Sequence, residues 1–306
     1  MKPIQQLSYP AVKTHAQKNQ EFLTGNFNGR RMYTALQPIY SIAHKRPVGY
    51  EALLRVKEQS ENKLISPARL FESTEDTLST VLIDRLCRLI HLNNFQAIQD
   101  PVNWLFLNVT PETIIHADRH GPFFKDLIES FGFPAHRIVI EVVEHPIGDN
   151  EQLLKTIDFY KNIGCLIAID DFGAGHSNFD RIWTIKPDIV KLDRSFLTRA
   201  SKEKQIRDLL PGIVSLLHQA GSLVLIEGVE TRDQAIMAIE SDVDFVQGFY
   251  FGRPFTDLSP SPPLFTDFNR LIDQYKTFSK AEDEVFRQKI NLYQSEFHNA
   301  VTSLMN

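Results

Sequence analysis

Short apolar runs alternate with helix-length segments from Met32 to about Phe251, and this rhythm restricts the fold more than any other property of the chain. The runs are Tyr33–Ser41, Val48–Val56, Trp104–Val109, Arg137–Val143, Cys165–Asp170, Asp188–Leu192, Ser222–Glu227 and Phe245–Phe251. Later gaps, among them Leu70–Phe95, Glu151–Ile163 and Glu203–Ala220, are long enough for a helical crossover. The first gap, Ile42–Pro47, is not. Parallel neighbours need about a dozen connecting residues or more, so the first two runs pair, if at all, as an antiparallel hairpin. Eight strands so spaced predict an α/β protein, a (β/α)8 TIM-like barrel with one antiparallel strand, ahead of an open doubly wound sheet.

A chain of 306 residues accommodates one large domain with appendages or two average ones, and 42% apolar with 23% charged residues suits a soluble globular core. A net charge of −5 argues against polymeric nucleic acid or a membrane surface as partner. No run approaches the roughly 18 apolar residues of a membrane span. The first thirty residues are polar and lack the apolar stretch of a secretory signal. Cys87 and Cys165 read as small buried hydrophobes in a reducing compartment. The expected organisation is therefore a cytoplasmic protein with a flexible, loosely ordered arm at 1–30, a barrel at 31–278 and an amphipathic helix at 279–306. Leu264, Phe268, Leu271, Ile272 and Tyr275 recur at helical spacing and suit the last barrel helix. Phe286, Ile290, Tyr293, Phe297, Val301 and Leu304 form a second stripe, which must be buried on the barrel, on a second subunit or on a regulatory partner.

Acidic and amide residues close these runs: Glu51, Asn108, Glu141, the pair Asp170 and Asp171, Glu227 and Gln247. Carboxylates gathered at one sheet edge are costly to bury unless a cation compensates them, so their convergence implies a bound metal. Side chains alternate along a strand, which puts Glu51, Leu53 and Arg55 on one face and Lys191 with Asp193 on another. Glu141 and Glu144 are three apart and face opposite ways in an unbroken strand. Glu144, and by the same spacing Glu230 after Glu227, then belong to loops that support the site from behind.

In order, Gln37-Pro38-Ile39, Tyr50-Glu51-Ala52-Leu53-Leu54-Arg55, Phe106-Leu107-Asn108, Glu141-Val142-Val143-Glu144, Asp170-Asp171-Phe172-Gly173-Ala174-Gly175-His176-Ser177, Lys191-Leu192-Asp193, Glu227-Gly228-Val229-Glu230 and Gln247-Gly248-Phe249-Tyr250-Phe251 resemble the EAL-domain family of cyclic di-GMP phosphodiesterases. The resemblance covers about residues 31 to 256. It implies a barrel with one antiparallel strand, often a homodimer, that cleaves cyclic di-GMP to linear pGpG with two Mg2+ or Mn2+ ions. Carried over by position, Glu51, Asn108, Glu141 and Asp170 match ligands of one metal, and Asp170 with Asp171 ligands of a second. Glu227 matches a general base or water contact, Lys191 an electrostatic partner of water and phosphate, Arg55 a phosphate contact, and Gln247 and Asp193 groups lining the substrate site. Glu144 and Glu230 would anchor the loops. Oxygen ligands favour Mg2+ or Mn2+ over Zn2+, and Ca2+ is expected to bind yet inhibit by aligning water poorly.

The loop reads Ala174 and His176 where Thr and Tyr are more usual in the family, while Val143 and Ile226 stand for a frequent Thr and Ala. No metal-binding or acid/base position is lost. The rival readings are a cyclic di-GMP receptor or scaffold without turnover, and a barrel enzyme of metal-assisted proton abstraction. Degenerate members of the family usually lack several acidic positions, which this chain keeps.

Overall fold

The computed structural model describes residues 7–19, 22–98, 102–115, 123–143, 150–175, 179–257 and 266–275. Eight strands close a barrel: β3 (Arg30–Ser41), β4 (Arg46–Glu58), β6 (Trp104–Asn108), β7 (Ile138–Val143), β8 (Leu166–Phe172), β9 (Ile189–Leu192), β10 (Leu223–Ile226) and β11 (Phe245–Val246). The order around it is β3-β11-β10-β9-β8-β7-β6-β4, and β4 returns to β3. The reversed strand is β3, antiparallel to both β4 and β11, while the other barrel pairs are parallel.

Alternation along the strands sorts the core into two parts. Ile39, Val48, Trp104, Phe106, Val139, Leu166, Ala168, Ile189, Leu223, Leu225 and Phe245 fill the barrel interior as one apolar cluster. Residues of the opposite parity, such as Leu105, Leu107, Ile140, Val190 and Val224, join the larger cluster beneath the helices. Both cysteines are buried and unbridged.

Two helices show how the crossovers are held. Thr77–Ala97 is capped by Asp76, whose carboxylate accepts from Ser79 N at 2.8 Å. It carries a buried ion pair of Asp84 with Arg88, and Arg88 also donates to Tyr160 Oη at 2.8 Å. Arg232–Glu240 starts with a capping box in which Thr231 and Gln234 satisfy each other's backbone amides.

The structure corrects the expected loose arm. Within 1–30, a short helix (Tyr9–Lys13) precedes strands β1 (Ala16–Asn19) and β2 (Phe22–Phe27), which extend the sheet beyond β3 in the order β1-β2-β3, as β5 (Lys63–Ile65) does beyond β4. Leu7 and Val12 are fully buried, and Gly25 lets β2 lie against Leu86, whose Cδ2 a Cβ would meet at 2.9 Å. Asn94 clamps β2 by accepting from Leu23 N at 2.6 Å and donating to Leu23 O at 2.9 Å. Two strand limits also move. Glu51 closes the apolar run but the strand goes on, as expected, and β4 passes Val56 to reach Glu58 opposite β3, while β11 stops at Val246, well short of Phe251.

In the last described helix, Thr266–Tyr275, Phe268, Leu271 and Ile272 are buried as expected, whereas Tyr275 is exposed. Leu264 and the proposed helix at 279–306 lie outside the described residues.

Candidate active site

The site residues continue the inward parity of the barrel plug. On β6, Trp104 and Phe106 point inward and Asn108 follows; on β7, Val139 is followed by Glu141; on β8, Leu166 and Ala168 by Asp170. Ile189 is followed by Lys191, Leu225 by Glu227 and Phe245 by Gln247. A two-residue period thus lays one polar layer over an apolar floor at the carboxyl end of the parallel strands, where barrels of this kind place their chemistry.

Lys191 sits at the centre of that layer. Its Nζ is 2.6 Å from Glu141 Oε1, 2.7 Å from Glu227 Oε1, 2.9 Å from Asp170 Oδ1 and 3.9 Å from Glu51 Oε1. Its side chain is 1% exposed and that of Glu141 0%. Burial opposes the ammonium charge, but Asp170, Glu141, Glu227 and Glu51 outweigh it and hold the Lys191 pKa well above its ordinary value. One ammonium cannot neutralise four carboxylates. Burial, aided by the charges of Asp170 and Glu51, pushes Glu227 up to about 7 and Glu141 well above the usual carboxylate range, against the pull of Lys191.

The residues fit a bound cation. Glu141 Oε2 is buried and has no hydrogen-bond partner among the described residues, an arrangement that favours a further positive group. Oxygens of Asp170, Asp171 and Glu227 lie within 4.8 Å of one another. Asp171 reaches this group by adopting a left-handed backbone, with φ of 56°, while its amide donates to Asp170 Oδ1 at 3.0 Å. Glu51 is oriented from both sides: Gln247 Nε2 donates to its Oε2 at 2.8 Å and Asn108 Nδ2 to its Oε1 at 3.3 Å. The donor set is oxygen only, as hard divalent ions prefer.

A family model described as the EAL domain matches residues 20–254. The chain belongs to the EAL-domain family. Among EAL relatives, it is 28% identical over 272 residues to YkuI of Bacillus subtilis, covering 88% of this chain and 66% of that protein. It is 27% identical over 252 residues to the probable cyclic di-GMP phosphodiesterase PdeN of Escherichia coli, covering 81% and 48% respectively. The chain thus spans from under half to about two thirds of these relatives. A solved structure of YkuI in complex with substrate c-di-GMP and calcium matches with a TM-score of 0.68 at 26% identity, covering 90% of this chain and 67% of that one. The manganese and cyclic di-GMP complex of Klebsiella pneumoniae BlrP1 shares the fold, with a TM-score of 0.66 at 24% identity, covering 76% and 58%.

The structure brings together Glu51, Asn108, Glu141, Asp170, Asp171, Lys191, Glu227 and Gln247. Arg55 stays on the Glu51 side of β4, half-buried, and donates to Leu54 O at 2.9 Å. Burial pulls its pKa below the ordinary value, and the charge of Glu51 works against that fall. Asp193 has a local task, since its carboxylate accepts from Ser195 N at 2.9 Å. Glu230 is exposed, along a cavity of about 550 Å3 that Asp193, Arg194, Arg199 and Gln234 also line. Glu144 and His176 lie outside the described residues. Two EAL glycines gain a role that strand patterning does not reveal: Gly173 and Gly228 are packed against Phe196 and Arg194.

Proposed function

We propose that this chain hydrolyses cyclic di-GMP to linear pGpG with two Mg2+ or Mn2+ ions. The observation that carries the reading is the buried layer in which the single ammonium of Lys191 faces Glu51, Glu141, Asp170 and Glu227. Its excess negative charge calls for divalent cations. Glu51, Asn108, Glu141, Asp170 and Asp171 would hold them. When bound, such ions neutralise phosphate charge and make water a nucleophile near neutral pH.

The chain's own residues supply the rest. Glu227, with its pKa near 7, can take up a proton from water at neutral pH. Lys191 fixes the directions of three carboxylates and offers charge to the phosphate as negative charge builds on it. Arg55, on the same strand face as Glu51, holds a phosphate in the ground state, and Gln247 orients Glu51. Ca2+ would occupy the site and inhibit.

Homodimerisation belongs to the same proposal. Trp183 on helix Phe179–Ile185 and Leu209 and Leu216 on helix Lys204–Gln219 are large apolar side chains exposed by 61%, 60% and 44%, which a second copy would cover. Among the described residues no helix is long and apolar enough to cross a membrane, in keeping with a proposed cytoplasmic site of action.

The test is incubation of purified protein with cyclic di-GMP and Mg2+ or Mn2+, products being resolved by chromatography. Accumulation of pGpG is expected. Nucleotide binding without cleavage under both ions would make the protein a receptor.

A further inference from the structure

Three of the carboxylates reach the site from two different strands. Asp170 and Asp171 come from β8 and Glu227 follows β10, yet their oxygens gather within 4.8 Å. Strand β9 lies between them, and the turn that leaves it touches both neighbours. Asp193 N donates to Phe172 O at 3.1 Å, and Glu227 N donates to Leu192 O at 3.0 Å. The turn is closed on itself by Phe196 N to Asp193 O at 3.0 Å and by Ser195 N to the Asp193 carboxylate at 2.9 Å.

Each neighbour meets this turn with a glycine, two residues past Asp171 on one side and one residue past Glu227 on the other. Gly173 has φ of 94°, and a Cβ added there would lie 2.0 Å from Phe196 Cε2. Gly228 has φ of 66°, and a Cβ there would lie 2.3 Å from Arg194 Cβ. The Phe196 ring is half-buried against the core and occupies the space a side chain at 173 would fill. Asp171, two residues earlier, has the left-handed backbone that a non-glycine residue adopts only when its surroundings hold it there.

We propose that the turn Asp193–Phe196 is a spacer between the strand ends carrying Asp170, Asp171 and Glu227, with Phe196 the positioning residue that holds Asp171 in place for a divalent ion. The inference rests on the metal-dependent reading of the site and adds a residue that touches neither metal nor substrate. Arg194 meets Gly228 with its Cβ first and then its Cα and Cδ, none of them part of the guanidinium, which is therefore dispensable for spacing.

The test is Mn2+ titration of the full chain by calorimetry and by electron paramagnetic resonance, with wild type, Phe196→Ala, Phe196→Leu and Arg194→Ala compared. Loss of a supporting contact behind a metal ligand weakens metal affinity by about 10- to 100-fold. Phe196→Ala is expected to weaken one Mn2+ site by that order, Phe196→Leu by less, and Arg194→Ala by less than about twofold. In turnover assays, the Mn2+ concentration for half-maximal rate should rise for Phe196→Ala while the rate at saturating Mn2+ recovers. A merely structural role would instead lower melting and rate together at every Mn2+ concentration, and that outcome overturns the proposal. Phe196→Leu keeps the comparison decisive if the alanine variant does not fold: unchanged Mn2+ binding there also overturns it. Wild type that binds no Mn2+ would refute the metal-dependent function itself, an outcome distinct from wild type and Phe196 variants binding alike.

Discussion

Lys191 Nζ and Glu141 Oε1 are 2.6 Å apart inside the barrel mouth, with neither side chain more than 1% exposed. Breaking such a pair by removing one partner strands a buried charge and costs about 3–5 kcal/mol. Lys191→Met, which keeps the unbranched stem and removes the ammonium, should therefore lower the melting temperature in EDTA and abolish most turnover. Added Mn2+ should recover part of the stability and little of the rate. A variant as stable as wild type in EDTA would show that the pair does not support the fold.

Stability of the metal-free protein should fall as pH rises. Glu227 titrates at about 7 in the folded chain against 4.5 as its ordinary value, and Glu141 moves in the same direction. A group with a raised pKa binds more protons folded than unfolded, so its stabilisation is complete below the ordinary value and lost through the raised one. Melting in EDTA is expected to decline from pH 5 to pH 8. The gain in melting temperature on adding Mn2+ should grow over the same range, because the metal takes the deprotonated carboxylates. A flat profile in EDTA would contradict the placement of Glu227.

Glu227→Gln retains the size of the side chain and removes its basicity. The fold and most nucleotide binding should persist while kcat drops on the order of 10²-fold or more. Calorimetry with cyclic di-GMP beside rate measurements checks this, and near-normal turnover would reject Glu227 as the proton acceptor.

Arg55 and Glu51 share a strand face, but their substitutions should read out differently. Arg55→Ala is expected to raise KM with kcat nearly kept, since a forked cation holds phosphate in the ground state. Glu51→Ala should lower metal affinity and activity together. Exchange of the two patterns would assign the anion contact elsewhere.

Much of this site was legible because it obeys a period of two. Glu141, Asp170, Lys191 and Glu227 each follow an inward apolar residue, so the strands alone place them on one layer. The short Ile42–Pro47 connection likewise revealed the reversed strand. What escaped depends on contacts remote in sequence. Residues 16–27 carry a weak apolar pattern, and β2 is held in place by Asn94 clamping Leu23 and by Gly25 seated on Leu86. The apolar run closes at Glu51, while the strand passes its expected end at Val56 and continues to Glu58 because Arg30 and Arg31 pair with Glu58 and Lys57. The contact between Gly173 and Phe196 is equally silent, since a loop glycine shows freedom of backbone but not the ring that needs its bare α-carbon.

The reversed strand has a mechanical consequence. Because β3 runs against its neighbours, Arg30 lies opposite Glu58, beyond the carboxylate layer, so β2 meets β3 at the carboxylate rim and not at the barrel floor. Leu23 on β2 is tied to Asn94, Asn94 donates to Thr34 at 3.0 Å, and Thr34 is bonded to His91 at 2.9 Å, a ring whose depressed pKa owes most to burial and then to the charge of Arg55. A displacement of β2 would therefore pass through Asn94 and Thr34 to His91, the ring that feels the charge of Arg55.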